Sequence, residues 1–363
     1  MKIITDYDVV IQGPCDLYVK DGKVVISGIE LGAGDKLDIN SDNYFTVTSL
    51  TNSEIESNCK IIQSYKTLGW YNIAKEISGG KIIVLGDENS GKTYFSNFLA
   101  NLYGSSTIDS DVGQSSIFLP AFIAYSKDVS KKLLLSQRRI DGIEFLGSIT
   151  PSTNPRLHIF LVLLTLKEIN SDNVVIDSDG WVRGFHAYRH KLELIYTIDP
   201  DYILTFDQRI IKDMPRDLLR KVKLLKPFPL NVDRSRNKRR EYRSRKYRDY
   251  FSNAKVNVID MRTVVGTPIS KNLIRAWNQY VQLIDEKPCE GLYVDRAELF
   301  GLYLGLTYKG KTVGAGLIKD IKEDLGIVEI LTPVENFDGV ILGEFRLNEN
   351  FTESRVRVRK CLE

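Results

Sequence analysis

The stretch KIIVLGDENSGKTYFSNFLANLYG, Lys81 to Gly104, decides the fold class. After Lys81 comes the short apolar run of a strand covered on both faces, and TYFSNFLANLYG reads as an amphipathic helix that stops at Gly104. Between them Gly86 to Thr93 spells a complete G-x-x-x-x-G-K-T. At average residue frequencies that pattern arises by chance in roughly one or two chains in a hundred of this length, and the strand-before-helix setting narrows it further. The glycines let backbone N–H groups wrap a phosphate chain at the positive end of the helix. In that reading Lys92 meets the β- and γ-phosphates of ATP and the Thr93 hydroxyl meets Mg²⁺. The nucleotide-lining set is then Gly86, Asp87, Glu88, Asn89, Ser90, Gly91, Lys92, Thr93 and Tyr94. The plainer alternative is a glycine-rich turn with a solvent-facing lysine.

Outward from this stretch, strand and helix signals alternate: STIDSD, a long helical pattern around HIFLVLLTLKEI, the strand NVVIDSD, a helix near HKLELIYTI and the strand DYILTFD. Such alternation predicts a parallel sheet covered by helices. Residues 1–62 are short, alternating and turn-punctuated, with Asp21-Gly22 read as a hairpin turn, which predicts a small β-rich N-terminal domain. SKNLIRAWNQYVQLID, with Leu273, Trp277, Tyr280, Val281 and Ile284 at helical spacing, reads as the last helix of a central domain spanning 63–286. Short β-prone runs over 287–363 predict a β-rich C-terminal domain. The fold class is therefore α/β, a central P-loop domain with small β-rich domains on either side.

The chain's 363 residues suit two or three compact units, and 43% hydrophobic against 27% charged residues is ordinary for a globular protein. No run approaches the roughly 18 apolar residues of a spanning helix, and the start MKIITDYDVVIQGP lacks a signal-peptide layout, so a cytoplasmic or nuclear protein with no membrane partner is expected. Cys15, Cys59, Cys289 and Cys361 are widely spaced with no C-x-x-C pair, which suggests neither disulfides nor a zinc knuckle. On average charge alone, 50 Lys+Arg against 47 Asp+Glu argues against a nucleic acid partner. The average hides a segment, Asp233 to Arg248, that holds seven Arg and two Lys against two acids, so that it carries +7 and the remainder −4. A solvated helix face usually mixes signs and favours Lys and Glu, whereas repeated Arg suits bidentate phosphate contact.

Three further segments are candidates for chemistry. Asp109-Ser-Asp111-Val-Gly-Gln114 ends a strand, where its carboxylates could serve the metal shell or take a proton, or simply form an Asx turn. FLGSITPSTNP, Phe145 to Pro155, is hydroxyl-rich and reads as a loop. Trp181, between Gly180 and Gly184 at another strand end, is placed either in the core or to stack on a base. His186 and His190 lack a third ligand for a metal, and neither a G-x-S-x-G elbow nor the N-K-x-D motif of GTPases is present.

In this order, GDENSGKT, D-x-D-x-G-Q, GSITPSTN, DGW and the basic run RSRNKRREYRSRKYRDYF resemble the polyribonucleotide 5′-hydroxyl kinase family, the Clp/Grc type that includes eukaryotic RNA-processing kinases and their archaeal relatives. The resemblance covers most of 63–262, and LTFDQRIIKDMP and LTPV add to it. It implies ATP and Mg²⁺ as cofactors and RNA 5′ ends, single-stranded or duplex, as partners, with DNA as a further acceptor and RNA-processing proteins as further partners. It implies Lys92 and Thr93 on the phosphates and metal, Asp111 as general base, and Asp109 and Gln114 in the metal shell. Thr150, Pro151, Thr153 and Asn154 would form a clasp near the acceptor, with Gln114 and Arg243 contributing. Trp181 would stack on the terminal nucleotide, and Arg234 and Arg239 of a lid over 233–251 would close on the phosphoryl group. Relatives often carry Asn-Thr where this chain has Asp177-Ser178. The expected function is ATP-dependent, Mg²⁺-dependent in-line transfer of the γ-phosphate to a 5′-hydroxyl. The other readings are an ATP-bound scaffold without turnover and a small-molecule kinase.

Overall fold

The computed structural model of the chain describes residues 2–229, 235–260, 264–265, 269–270, 273–276, 279–284, 292–322, 325–357 and 359–360. Packing divides it into two units, Met1–Asp111 with Tyr125–Asp141 and Val162–Val232, and Val112–Ala124 with Gly142–Leu161 and Asp233–Glu363.

The first unit opens with two antiparallel sheets. One runs Lys2–Ile3, Ser53–Ser57, Cys15–Asp21, Lys36–Ile39, and the other runs Ile29–Gly32, Lys23–Ile26, Tyr44–Ser49, Tyr7–Gln12, Lys60–Lys66. Leu17 and Val19 of the first share an apolar core with Val9, Ile11, Val24, Ile26 and Val47 of the second. Asp21-Gly22 is not a hairpin turn, because the strands on its two sides belong to different sheets. The tight hairpin lies one step on, at Ser27 and Gly28, whose φ values of 50° and 79° give the doubly left-handed turn that matches strand twist. The strand Lys60–Lys66 passes through the boundary expected at residue 62 and pairs with Tyr7–Gln12.

Cys15 and Cys59 form a disulfide, contrary to the expectation from spacing. Pairing register explains it. Leu17 stands opposite Ser57 on antiparallel strands, so two residues further out Cys15 meets Cys59, with Cα atoms 4.9 Å apart. Forty-four residues of separation conceal a contact that only the strand alignment creates.

The sheet that carries the phosphate loop has, within this unit, the strand order Ser106–Asp109, Val174–Asp177, Lys81–Leu85, Tyr202–Thr205, Val222–Leu224. All four neighbouring pairs are parallel. Ile82 to Leu85 and Val174 to Ile176 are fully buried, as continuous apolar strands in a covered parallel sheet should be. The chain leaves Lys81–Leu85 for the far strand Ser106–Asp109 and later fills the gap with Val174–Asp177. Order reverses around the phosphate-loop strand, which opens a crevice at the strands' carboxyl ends.

The second unit is dominated by a sheet ordered Lys255–Asp260, Ile327–Thr332, Lys311–Lys322, Leu302–Tyr308, Gly339–Leu347, Val264–Val265, with Glu353–Arg355 paired to Gly339–Leu347. Leu302, Leu304, Leu306, Ile318 and Ile330 form its core. The expected helix over SKNLIRAWNQYVQLID is instead an antiparallel pair, Leu273–Ala276 with Gln279–Ile284; Trp277 lies outside the described residues. Apolar residues there fit a period of two as well as 3.6, and the β-branched and aromatic content favours the strand. Lys255–Asp260, placed by sequence in the central domain, pairs with Ile327–Thr332 near the C-terminus.

Candidate phosphate-transfer site

The helix Lys92–Tyr103 begins immediately after Gly91, which is left-handed at φ 105° and offers no side-chain cap. Its first-turn N–H groups are thus left for a ligand, at the end of the helix that attracts anions. Gly86 is obligatory: at φ 155°, a Cβ there would lie 2.8 Å from Ser90 Oγ and 2.9 Å from Phe206 Cβ. Asn89 also takes a left-handed conformation, φ 62°. Lys92 is buried and its Nζ donates to the Asp87 carbonyl at 2.9 Å, so the loop holds its own lysine in place of a phosphate. Ser90 Oγ is buried without a hydrogen-bond partner. Asp87 is gripped by Arg183, whose Nε and guanidinium nitrogen lie 2.9 and 2.5 Å from its carboxylate, and by Arg209 at 3.4 Å. These arginines hold the Asp87 carboxyl below its usual range against the opposing effect of burial, which is the larger single influence. The hydroxyl of Tyr94, a residue expected to line the nucleotide, accepts the Ser27 and Thr46 N–H groups at 3.1 and 3.3 Å, which leaves its backbone N–H as the group that faces the loop's ligand.

Asp109 and Asp177 end neighbouring strands and stand directly opposite each other in the ladder. Both are buried. Asp109 Oδ1 accepts the Asp111 N–H at 3.2 Å, so the Asx turn at this strand end is real, and it fixes the direction of Asp111. Asp177 Oδ1 accepts from Ser96 Oγ at 3.2 Å while its Oδ2 is buried without a partner. The Asp177 carboxyl is pushed up to about 8, by burial first and by the Asp109 carboxylate second, with Lys92 and the Thr93 hydroxyl pulling the other way. Asp177 is a further candidate that the sequence did not single out. The signal was visible, a carboxylate closing the strand next to the phosphate-loop strand. Among the described residues no three carboxylate, histidine or cysteine groups converge at metal-ligand distance. A hard-oxygen pair of Thr93 and Asp177, with an orphaned buried oxygen, nevertheless suits Mg²⁺, which keeps most of its waters and asks few ligands of the protein.

Trp181 is half-buried, with its ring 5.4 Å from that of His190 at an interplanar angle of 35°. Asp179 Oδ1 accepts the Trp181 backbone N–H at 2.8 Å, and Ser178 Oγ donates to the Val84 carbonyl of the phosphate-loop strand at 2.7 Å. Gly180 rests on the phosphate loop itself: a Cβ there would lie 3.1 Å from the Glu88 nitrogen and 2.7 Å from its Cγ. The Asp-Gly-Trp sequence and the phosphate loop are therefore one packed body.

In the second unit Thr150, Pro151, Thr153 and Asn154 belong to a short 3-10 turn, Pro151–Thr153 with its two caps, that comes just before the helix Pro155–Ile169. Thr150 Oγ1 accepts Ser152 N–H, Thr153 Oγ1 donates to Thr150 O, and Asn154 Oδ1 accepts Leu157 N–H. Gln114 Nε2 donates to the Gly113 carbonyl at 2.9 Å. The basic segment is a helix, Arg236–Phe251, capped by Ser235, whose side chain accepts the Lys238 N–H. Its cations divide into two kinds. Lys246 Nζ donates to the carbonyls of Ser115, Ser116 and Phe118 at 2.7, 2.9 and 2.6 Å, so it fastens the turn that follows Gln114. Arg243, expected to meet substrate, here makes a two-pronged bond to Glu353, 2.5 and 2.9 Å, with both side chains nearly buried. Arg236, Arg245 and Arg248 are exposed and Arg239 is half-exposed. Arg234 lies outside the described residues.

A parallel sheet with the phosphate loop at its order reversal, flanked by strand-end carboxylates, defines a P-loop nucleotide-binding protein. Residues 86–253 match the family model for the mRNA cleavage and polyadenylation factor CLP1 P-loop. A polyribonucleotide 5′-hydroxyl-kinase of Pyrococcus horikoshii is 30% identical over 343 residues, covering 80% of this chain and 90% of its own, and one of Pyrococcus furiosus is 29% identical over 326 residues, covering 78% and 92%. The chain belongs to this Clp1-type polyribonucleotide 5′-hydroxyl-kinase family. A solved Clp1p–Pcf11p complex superposes with a TM-score of 0.63 at 14% identity, over 95% of this chain and 97% of that one, and so shares the fold.

Proposed function

We propose that the protein is an ATP-dependent kinase that phosphorylates the 5′-hydroxyl end of RNA, with DNA ends as a further acceptor class. The observation that carries this reading is the seating of the Asp-Gly-Trp segment on the phosphate loop through Gly180 and Glu88. A general nucleotide hydrolase has no need of a half-exposed tryptophan fixed beside its phosphates, whereas an enzyme that must hold the end of a nucleic acid strand has one. Lys92 would leave the Asp87 carbonyl for the β- and γ-phosphates of ATP, and the free N–H groups of residues 91–94 would wrap them. Thr93 and Asp177, with Asp109 behind, would hold Mg²⁺, which when bound screens the phosphate charge. Asp111, directed by its turn on Asp109, would take the proton of the 5′-hydroxyl as that oxygen attacks. Trp181 would stack on the terminal base without reading its identity, Gln114 and the Thr150–Asn154 turn would contact the acceptor end, and Arg234 and Arg239 would neutralise charge on the transferred group.

Transfer of labelled γ-phosphate to matched 5′-hydroxyl RNA and DNA oligonucleotides tests this, with Lys92→Ala and Asp111→Asn as controls. Transfer by the wild type that collapses in both variants is expected. No transfer by wild type, or full activity in both variants, would sink the reading. Nucleotide binding without turnover would point to the scaffold role instead.

A further inference from the structure

Lys191 sits on the helix Phe185–Ile198 with 1% of its side chain exposed, and its ammonium is paired with Asp179, 4% exposed. A buried ion pair is an expensive way to stabilise a fold, because desolvating both charges consumes most of what their attraction returns. This one has a second use. The same Asp179 carboxylate accepts the Trp181 backbone N–H through its other oxygen, at 2.8 Å. On the far side of Asp179, Ser178 is tied to Val84, and Gly180 lies against Glu88 too closely to admit a side chain. Asp179 is thus the joint of a short segment clamped at 178 to the phosphate-loop strand, at 180 to the phosphate loop, and at 179 to a lysine that approaches from the helix. The Asp179 bond holds the backbone of Trp181 directly.

We propose that Lys191 is a positioning residue for the acceptor strand: by orienting Asp179 it sets where the Trp181 ring, and the nucleotide stacked on it, stands relative to the phosphate loop. The proposal rests on the acceptor role given to Trp181 above. Removing the lysine leaves Lys92, Thr93 and the first turn of their helix untouched, so nucleotide affinity is retained while the acceptor is misplaced.

Lys191→Met alone strands the Asp179 charge and costs stability as well as position, so the decisive comparison is between two doubly substituted proteins that bury no charge. Lys191→Met with Asp179→Asn keeps an oxygen for the Trp181 N–H, and Lys191→Met with Asp179→Leu does not. The first is expected to keep an acceptor KM close to wild type. The second is expected to raise it about tenfold or more, the usual cost of orphaning a buried N–H, with ATP affinity within about twofold of wild type in both. Equal acceptor KM in the two doubles, or ATP affinity falling in step with acceptor affinity, overturns the proposal. Failure of both to fold also overturns it, by making the pair a requirement of the fold itself. A wild-type protein inactive on 5′-hydroxyl RNA would instead remove the functional reading beneath it, a result the same assay separates.

Discussion

The phosphate loop and the Arg-rich helix are the two most strongly marked segments of the chain, and they use polar groups in opposite ways. Around the phosphate loop, polar atoms are buried and left waiting: Ser90 Oγ and Asp177 Oδ2 have no partner, the helix after Gly91 has no side-chain cap, and Lys92 is parked on a backbone carbonyl. Along Arg236–Phe251, cations that look interchangeable in sequence are sorted by structure into anchors and exposed charges. Lys246 and Arg243 are spent within the second unit, on three carbonyls and on Glu353, while Arg236, Arg245 and Arg248 face solvent. A buried atom without a partner marks a site only where other site features converge on it, as at the phosphate loop, since Ser244 Oγ and Tyr247 Oη on the Arg-rich helix are buried without partners too.

The sharpest way to break this contrast is at Lys92. Lys92→Ala should lower kcat for phosphoryl transfer by about 10²–10³-fold, as removal of a single preorganised charge contact does, with little change in melting temperature. If activity survives, the waiting atoms of the loop do not wait for phosphate. Along the helix the contrast predicts a split. Arg239→Ala should weaken oligonucleotide binding and flatten its dependence on salt by about one phosphate contact in a titration over salt concentration. Arg243→Ala should act on stability, destabilising the protein by about 3–5 kcal/mol in denaturant melts because it leaves Glu353 buried and unpaired.

Asp177 sharpens the comparison through pH. A folded carboxyl that keeps its proton up to about 8 binds that proton more tightly than an unfolded aspartate, which releases it near 3.8. Its effect on folding is therefore fully present below the lower value and is lost as pH rises through the upper one. Metal-free protein should accordingly lose melting temperature as pH rises from about 4 to about 8, Asp177→Asn should flatten that slope, and Mg²⁺ should oppose it in wild type only. Asp177→Asn should also raise the Mg²⁺ needed for half-maximal transfer by about tenfold. The smallest effect on transfer is expected at the disulfide. Replacing Cys15 and Cys59 by Ser should cost up to about 4 kcal/mol of stability, the chain-entropy value for a loop of this size, and leave kcat within about twofold.

Local pattern made the phosphate loop, the parallel strands and the Arg-rich segment legible, because each is written in consecutive residues. The features that escaped depend on register. Cys15 meets Cys59 only once Leu17 is aligned with Ser57, and Asp177 becomes a partner of Asp109 only once their strands are neighbours. The Asp21-Gly22 turn and the helix over Leu273 to Ile284 failed for a related reason. Asp-Gly between apolar runs marks a reversal or a passage between sheets equally well, and a dozen apolar-rich residues satisfy two periods at once. For Arg243 and Tyr94 the residue type was informative and the partner was not, since Glu353 lies 110 residues away and Thr46 lies 48.

The Ser27-Gly28 hairpin has a further consequence for how this chain can diverge. A Cβ on Gly28 would lie 2.1 Å from the Phe98 carbonyl oxygen on the phosphate-loop helix, Ser27 N–H is held by Tyr94 from the same helix, and Asn97 and Asn101 reach back to Ser27. The N-terminal β-rich region is thus grafted onto the back of the helix that positions Lys92, and the two form a single unit of inheritance. Insertions and exchanges should accumulate at turns such as Gly34 or Ser41 and spare residues 27 and 28, and a chain begun after the first sheets would expose that helix rather than release an independent kinase core.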